Sequence, residues 1–125
     1  MAAVGAFLAA CGSDDGSPTG PSNVNLTVTP ANFPALAVVG GIARVTESGT
    51  PIAVVRTTTT SYRAFSMVCP HQGTTISISG AGFRCPNHGA TFNGNGAWTG
   101  GERTSGLFEF TVTSNTNAGT ITITS

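Results

Sequence analysis

Residues 69–73, Cys-Pro-His-Gln-Gly, and residues 85–89, Cys-Pro-Asn-His-Gly, are two versions of one short loop, each carrying a cysteine, a proline, a histidine and a glycine. Together they hold both histidines of this 125-residue chain and two of its three cysteines. Thiolate and imidazole are the side chains that bind soft and borderline metals. Their concentration in two matching loops points to one metal site. Pro70 and Pro86 follow the cysteines and fix φ where the loop must be stiff, while Gly73 and Gly89 allow positive φ close after each histidine.

Outward from these loops the chain reads as short strands. Tyr62 to Met67, Thr75 to Ser79, Gly82 to Arg84 and Thr91 to Asn93 flank the two motifs. Beyond them lie Ile42 to Val45, Ile52 to Arg56, Leu107 to Thr113 and Thr120 to Thr124. At Val24 to Val28 apolar residues alternate with Asn25 and Thr27 until Pro30 ends the pattern, the period expected of a half-buried strand. Gly40-Gly41, Ser48-Gly49, Ser79-Gly80 and Asn117-Ala118-Gly119 supply turn chemistry, and Thr57 to Thr60 reads as a hairpin tip. No stretch of ten residues after the N-terminal region has helical periodicity. The expected fold is all-β, an antiparallel sandwich or small barrel, with Trp98, Tyr62, Phe33, Phe108 and Phe110 packing its sheets.

Composition narrows the partners. Hydrophobic residues make up 39% of the chain and charged residues 8%; five arginines balance five acids and lysine is absent. Such a surface has no basic field with which to hold nucleic acid. Exposed strand faces rich in threonine account for the polar composition.

The motif Cys69-x-His71, then the 13 residues Gln72 to Arg84, then Cys85-x-x-His88, resembles the signature of the Rieske iron–sulfur proteins. The resemblance implies one [2Fe–2S] cluster, with Cys69 and Cys85 on one iron and His71 and His88 on the other. It also implies a Rieske-type β framework over residues 24–125 with a small cluster-binding subdomain inserted, here roughly Met67 to Ala97. A two-iron cluster with four thiolates is formally dianionic when oxidised, and exchanging two of them for imidazoles makes it neutral. Reduction becomes easier, which places the class at roughly −150 to +300 mV. An imidazole on a cationic iron is also a stronger acid than free histidine, so the potential is expected to fall with pH in the alkaline range.

Four departures from the family are visible. Quinol-oxidising cytochrome bc-type members join the two loops by an extra disulfide, and the matching positions are Thr74 and Asn87. Those members also place a serine and a tyrosine as hydrogen-bond donors to sulfur, where this chain has Ala90 and Phe92. Fewer donors to sulfur destabilise the more negative reduced state, so a potential towards the low end of the class is expected. The spacer between the half-sites is short, and Gly101 stands where a downstream Gly-Pro motif has its proline.

Cys11 closes an apolar run, Leu8-Ala9-Ala10-Cys11, that resembles the lipobox of bacterial lipoproteins. Residues 1–11 are then a signal segment and Cys11 the lipidated residue. No Lys or Arg precedes the run, which fits a truncated signal or a start lying further upstream; an apolar terminus with a stray thiol is the alternative. Residues 12–23, Gly-Ser-Asp-Asp-Gly-Ser-Pro-Thr-Gly-Pro-Ser-Asn, read as a flexible linker with a reach of roughly 20 Å. The resemblances together imply an exported electron-transfer protein on the outer face of a membrane. Its expected partners are redox proteins, such as a quinol-oxidising enzyme, a cytochrome or another oxidoreductase, and it acts as a carrier or as a subunit of such an assembly. Zinc is the competing metal, but finger spacings put two to four residues between paired cysteines and three to five between paired histidines. A Cys–His nucleophile would use one thiol and one base and leave the second half-site without a role. A non-redox structural lipoprotein domain is the remaining alternative.

Overall fold

The structure is a computed structural model that describes residues 23–47, 49–70, 74–87 and 89–125. The signal segment, Cys11 and nearly all of the linker lie outside these residues, as do His71, Gln72, Gly73 and His88.

Among the described residues, ten strands form two antiparallel sheets. The larger contains β1 (Asn25–Val28), β2 (Ile42–Glu47), β3 (Thr50–Arg56), β4 (Tyr62–Ser66), β9 (Glu109–Asn115) and β10 (Thr120–Thr124), in the order β1-β10-β9-β4-β3-β2. The smaller contains β5 (Ser77–Ser79), β6 (Gly82–Arg84), β7 (Thr91–Phe92) and β8 (Trp98–Gly100), in chain order. All of the small sheet lies in sequence between β4 and β9, which pair antiparallel with Ala64 opposite Phe110. Departure and return therefore occur at the same end of neighbouring strands, and Ser66 N–H donating to Phe108 O at 2.8 Å closes the base of the insert.

The unbroken apolar run Ile52-Ala53-Val54-Val55 explains how the two sheets share a centre. An apolar run without alternation suits a strand covered on both faces. Ile52 and Val54 face one core with Val28, Val45, Ala64, Phe110, Ile121 and Ile123. Ala53 and Val55 face the other with Phe65, Met67, Ile76, Phe83, Phe92 and Leu107. Burial of each large aliphatic or aromatic side chain is worth about 1.5–3 kcal/mol, so β3 and β4 are the common wall of both cores. Edge strands β1 and β2 contribute Val28 and Val45 to the same core, which requires the larger sheet to curl on itself.

The strand expectations agree closely with this architecture; Gly82–Arg84 and Thr120–Thr124 have the expected bounds. The hairpin tip also forms, closed by Thr57 N–H donating to Ser61 O at 2.9 Å. Two short 3-10 turns, Pro30–Asn32 and Pro34–Ala37, follow β1, each with a proline at its start. No helix among the described residues is long and apolar enough to cross a membrane.

Candidate metal centre

Strand β4 runs through Met67 and Val68 into the first loop, and β6 runs directly into the second. The two loops are closed alike. Cys69 N–H donates to Thr74 O at 2.7 Å, and Cys85 N–H donates to Ala90 O at 2.7 Å, in each case five residues on. An isolated bridge between Val68 and Thr75, with Ile76 N–H donating to Met67 O at 2.8 Å, fastens the stem of the first loop. Within the second, Gly89 N–H donates back to Cys85 O at 3.0 Å, and Gly89 has φ +75°. That backbone region is open to glycine at little cost, as the motif implies.

Cys69 is 2% exposed and Cys85 fully buried, and both belong to the core formed with Met67, Ile76, Phe83, Ala90 and Phe92. The structure thus buries both expected sulfur ligands in one hydrophobic core. His71 and His88 lie outside the described residues; in sequence they fall between the closing pairs Cys69/Thr74 and Cys85/Ala90. Two sulfurs buried in one apolar core, each at the start of a loop closed in the same way, are donors of the type a soft metal group takes.

The departures noted in the sequence acquire physical meaning. Asn87 Nδ2 donates to Thr74 Oγ1, so a hydrogen bond links the loops at the positions matching the disulfide of the bc-type proteins. Ala90 is 1% exposed and Phe92 3%; both are packed, and neither side chain can donate to sulfur. Gly101 has φ +75°, which proline, held near −65°, is unable to adopt. A Cβ there would overlap the Gly89 carbonyl oxygen and stand 2.6 Å from its carbon. The segment after β8 therefore lies directly on the second loop and covers it without the proline.

Sequence reasoning missed β8 and the contact at Gly101. The signal available was the doublet Gly100-Gly101, which permits such close approach. It also passed over Arg84, whose Nη2 lies 3.7 Å from the space a Gly89 side chain would fill. Behind the site, Arg63 anchors the insert to the frame: Nε and Nη2 donate to the Glu109 carboxylate, both at 2.8 Å, and Nη1 donates to Asn95 Oδ1 at 3.1 Å. This pairing holds the Glu109 carboxyl below its ordinary pKa and raises that of Arg63. Trp98 packs on the same core, donates from Nε1 to Glu102 O at 3.0 Å and carries Arg103 over its ring at 4.7 Å.

Comparison with known proteins agrees with this geometry. The family model for the Rieske [2Fe–2S] domain matches residues 34–111, well over half the chain. Among solved structures, the plasma membrane Rieske protein PetC3 from Synechocystis PCC 6803 is similar at TM-score 0.63 and 24% identity, covering 82% of this chain and 99% of that one. Naphthalene 1,2-dioxygenase with indole bound is similar at TM-score 0.67 and 25% identity, over 82% of this chain and 26% of that one. The quaternary ammonium Rieske monooxygenase CntA in complex with L-carnitine is similar at TM-score 0.61 and 23% identity, over 82% and 32%. The chain spans about a third or less of those two oxygenases. No curated protein matches its sequence significantly. From two buried cysteines on matching loops, an insert between paired strands and the family match, it follows that the chain belongs to the Rieske [2Fe–2S] domain family, with one [2Fe–2S] cluster as its cofactor and electron transfer as its function.

Proposed function

We propose that Cys69 and Cys85 hold one iron of the cluster and His71 and His88 the other, and that the protein is an exported single-electron carrier tethered to a membrane through lipidated Cys11. The observation that carries the ligand assignment is the burial of both cysteines in one core at the start of identically closed loops. The bound cluster supplies a centre that accepts and returns one electron at a time. The chain's own part is to hold the ligands still and set their surroundings. Cys69 N–H and Cys85 N–H brace the loops, the segment at Gly101 covers the second, and the apolar walls of Ile76, Phe83 and Phe92 keep water from the sulfurs.

A membrane-bound carrier role takes its support from the likeness of the fold to that of a plasma membrane Rieske protein. The redox partner is a protein that meets the loop end of the insert; a quinol-oxidising or cytochrome-type complex fits an extracytoplasmic site. Membrane fractionation tests the tether. The native chain, expressed with its leader, is expected to sediment with membranes and Cys11→Ala to be released. A native chain found wholly in the soluble fraction would overturn the anchor and leave the cluster assignment intact.

Ala90 and Phe92 give a second expectation. A hydroxyl introduced by Ala90→Ser or Phe92→Tyr would add a donor towards sulfur and favour the reduced state. A differential gain of about 1.4 kcal/mol corresponds to roughly 60 mV for one electron, so each substitution should raise the potential by tens of millivolts. Spectroelectrochemical titration of the two variants beside the native protein checks this; unchanged or lowered potentials would show that these positions do not face sulfur.

A further inference from the structure

Arg84 is the last residue of β6 and immediately precedes Cys85. Its side chain is exposed and lies against the second loop, with Nη2 3.7 Å from the position a Gly89 Cβ would take. Three of the other arginines have structural partners. Arg56 donates to the carbonyls of Leu36, Ala37 and Thr59, Arg63 pairs with Glu109, and Arg103 stacks on Trp98. Arg44 belongs to β2, an edge strand of the larger sheet. Among the described residues no carboxylate or carbonyl accepts a hydrogen bond from Arg84. Its charge stands beside Gly89, with no acid in contact among the described residues.

We propose that Arg84 is an electrostatic tuning residue that raises the reduction potential of the centre, offsetting in part the donors missing at Ala90 and Phe92. The inference rests on the ligand assignment above. Reduction adds one electron and therefore one negative charge to the site, and a fixed cation nearby stabilises that state over the oxidised one. Because the guanidinium is exposed, mobile ions screen it, and the effect weakens as the Debye length shrinks from about 10 Å at 0.1 M salt to about 3 Å at 1 M. Bulk and packing at position 84 would not show that dependence.

The test is one-electron titration of the holoprotein and three variants at low and high salt, with iron content measured on each sample. Arg84→Gln should lower the potential, Arg84→Glu should lower it about twice as far because the charge change doubles, and Arg84→Lys should stay near native. The differences should contract at high salt. A separate variant keeps Arg84 in place: Ser77 is exposed and directly opposite it across β5 and β6, so Ser77→Glu sets a carboxylate beside the guanidinium and should also lower the potential. Should Arg84→Gln shed its cluster, Ser77→Glu decides the matter. Iron-loaded variants that all titrate with the native protein would overturn the tuning role alone. A native protein that binds no two-iron cluster would overturn the ligand assignment and, with it, this inference.

Discussion

Cys85→Ser is expected to lose the cluster almost completely while the larger sheet stays folded. The serine hydroxyl is a harder and far less acidic ligand than a thiol, and it would enter a fully buried position among Phe83, Ala90 and Phe92. Burying a hydroxyl in place of the thiol disfavours the fold only locally, a loss confined to the insert. The opposite core, built on Ile52, Val54, Phe110, Ile121 and Ile123, has no contact with this substitution and should keep its strands. Cys69→Ser should behave in the same way, whereas Cys11→Ser should retain full iron. Iron and sulfide analysis with far-ultraviolet circular dichroism checks all three. A Cys85→Ser protein with native iron content would show that this sulfur is not a ligand.

Gly101→Ala should be nearly as damaging although it removes no ligand. The left-handed backbone at φ +75° costs an alanine about 1–2 kcal/mol, and the added Cβ must displace the Gly89 carbonyl, itself part of the second loop. Backbone on both sides leaves no flexible side chain to move aside. A total of about 2–4 kcal/mol is expected, with the shifted loop releasing iron more readily. Gly80→Ala separates the two causes: Gly80 has φ +58° and, among the described residues, nothing within 4 Å of a new Cβ, so strain acts there without a clash. Denaturant midpoints and the rate of iron loss to a chelator should rank native, Gly80→Ala and Gly101→Ala in that order. Equal behaviour of the two variants would contradict the cover that the 100–101 segment gives to the loop.

Much of this architecture is legible in the sequence, for definite reasons. Alternation of threonine with valine, leucine or isoleucine marks β1 and β10, because each has one face on the core and one in water. The solid apolar run in β3 marks a strand buried on both sides. Ligand types and spacing draw attention to the two loops, and the structure places Cys69 and Cys85 in one core. Other features depend on tertiary contacts with no local signature. Strand β8 is three residues, Trp98-Thr99-Gly100, held by its pairing with β7 and by the Thr91–Thr99 hydroxyl contact at 2.9 Å, not by its own propensity. The link from Asn87 to Thr74 joins residues 13 apart that only the folded loops bring together. Gly101 reads as a missing proline in a motif, and its role emerges once Gly89 is seen beneath it. Arg84 looks like an ordinary strand-end cation until its guanidinium is found over the second loop.

The most direct measurement of the central claim is electron paramagnetic resonance on the reduced protein, with iron and zinc quantified in the same sample. The account predicts about two iron atoms per chain, negligible zinc, and the signal of one reduced two-iron cluster with nitrogen hyperfine coupling from its histidine ligands. A folded protein that is silent after reduction and carries zinc in place of iron would contradict it.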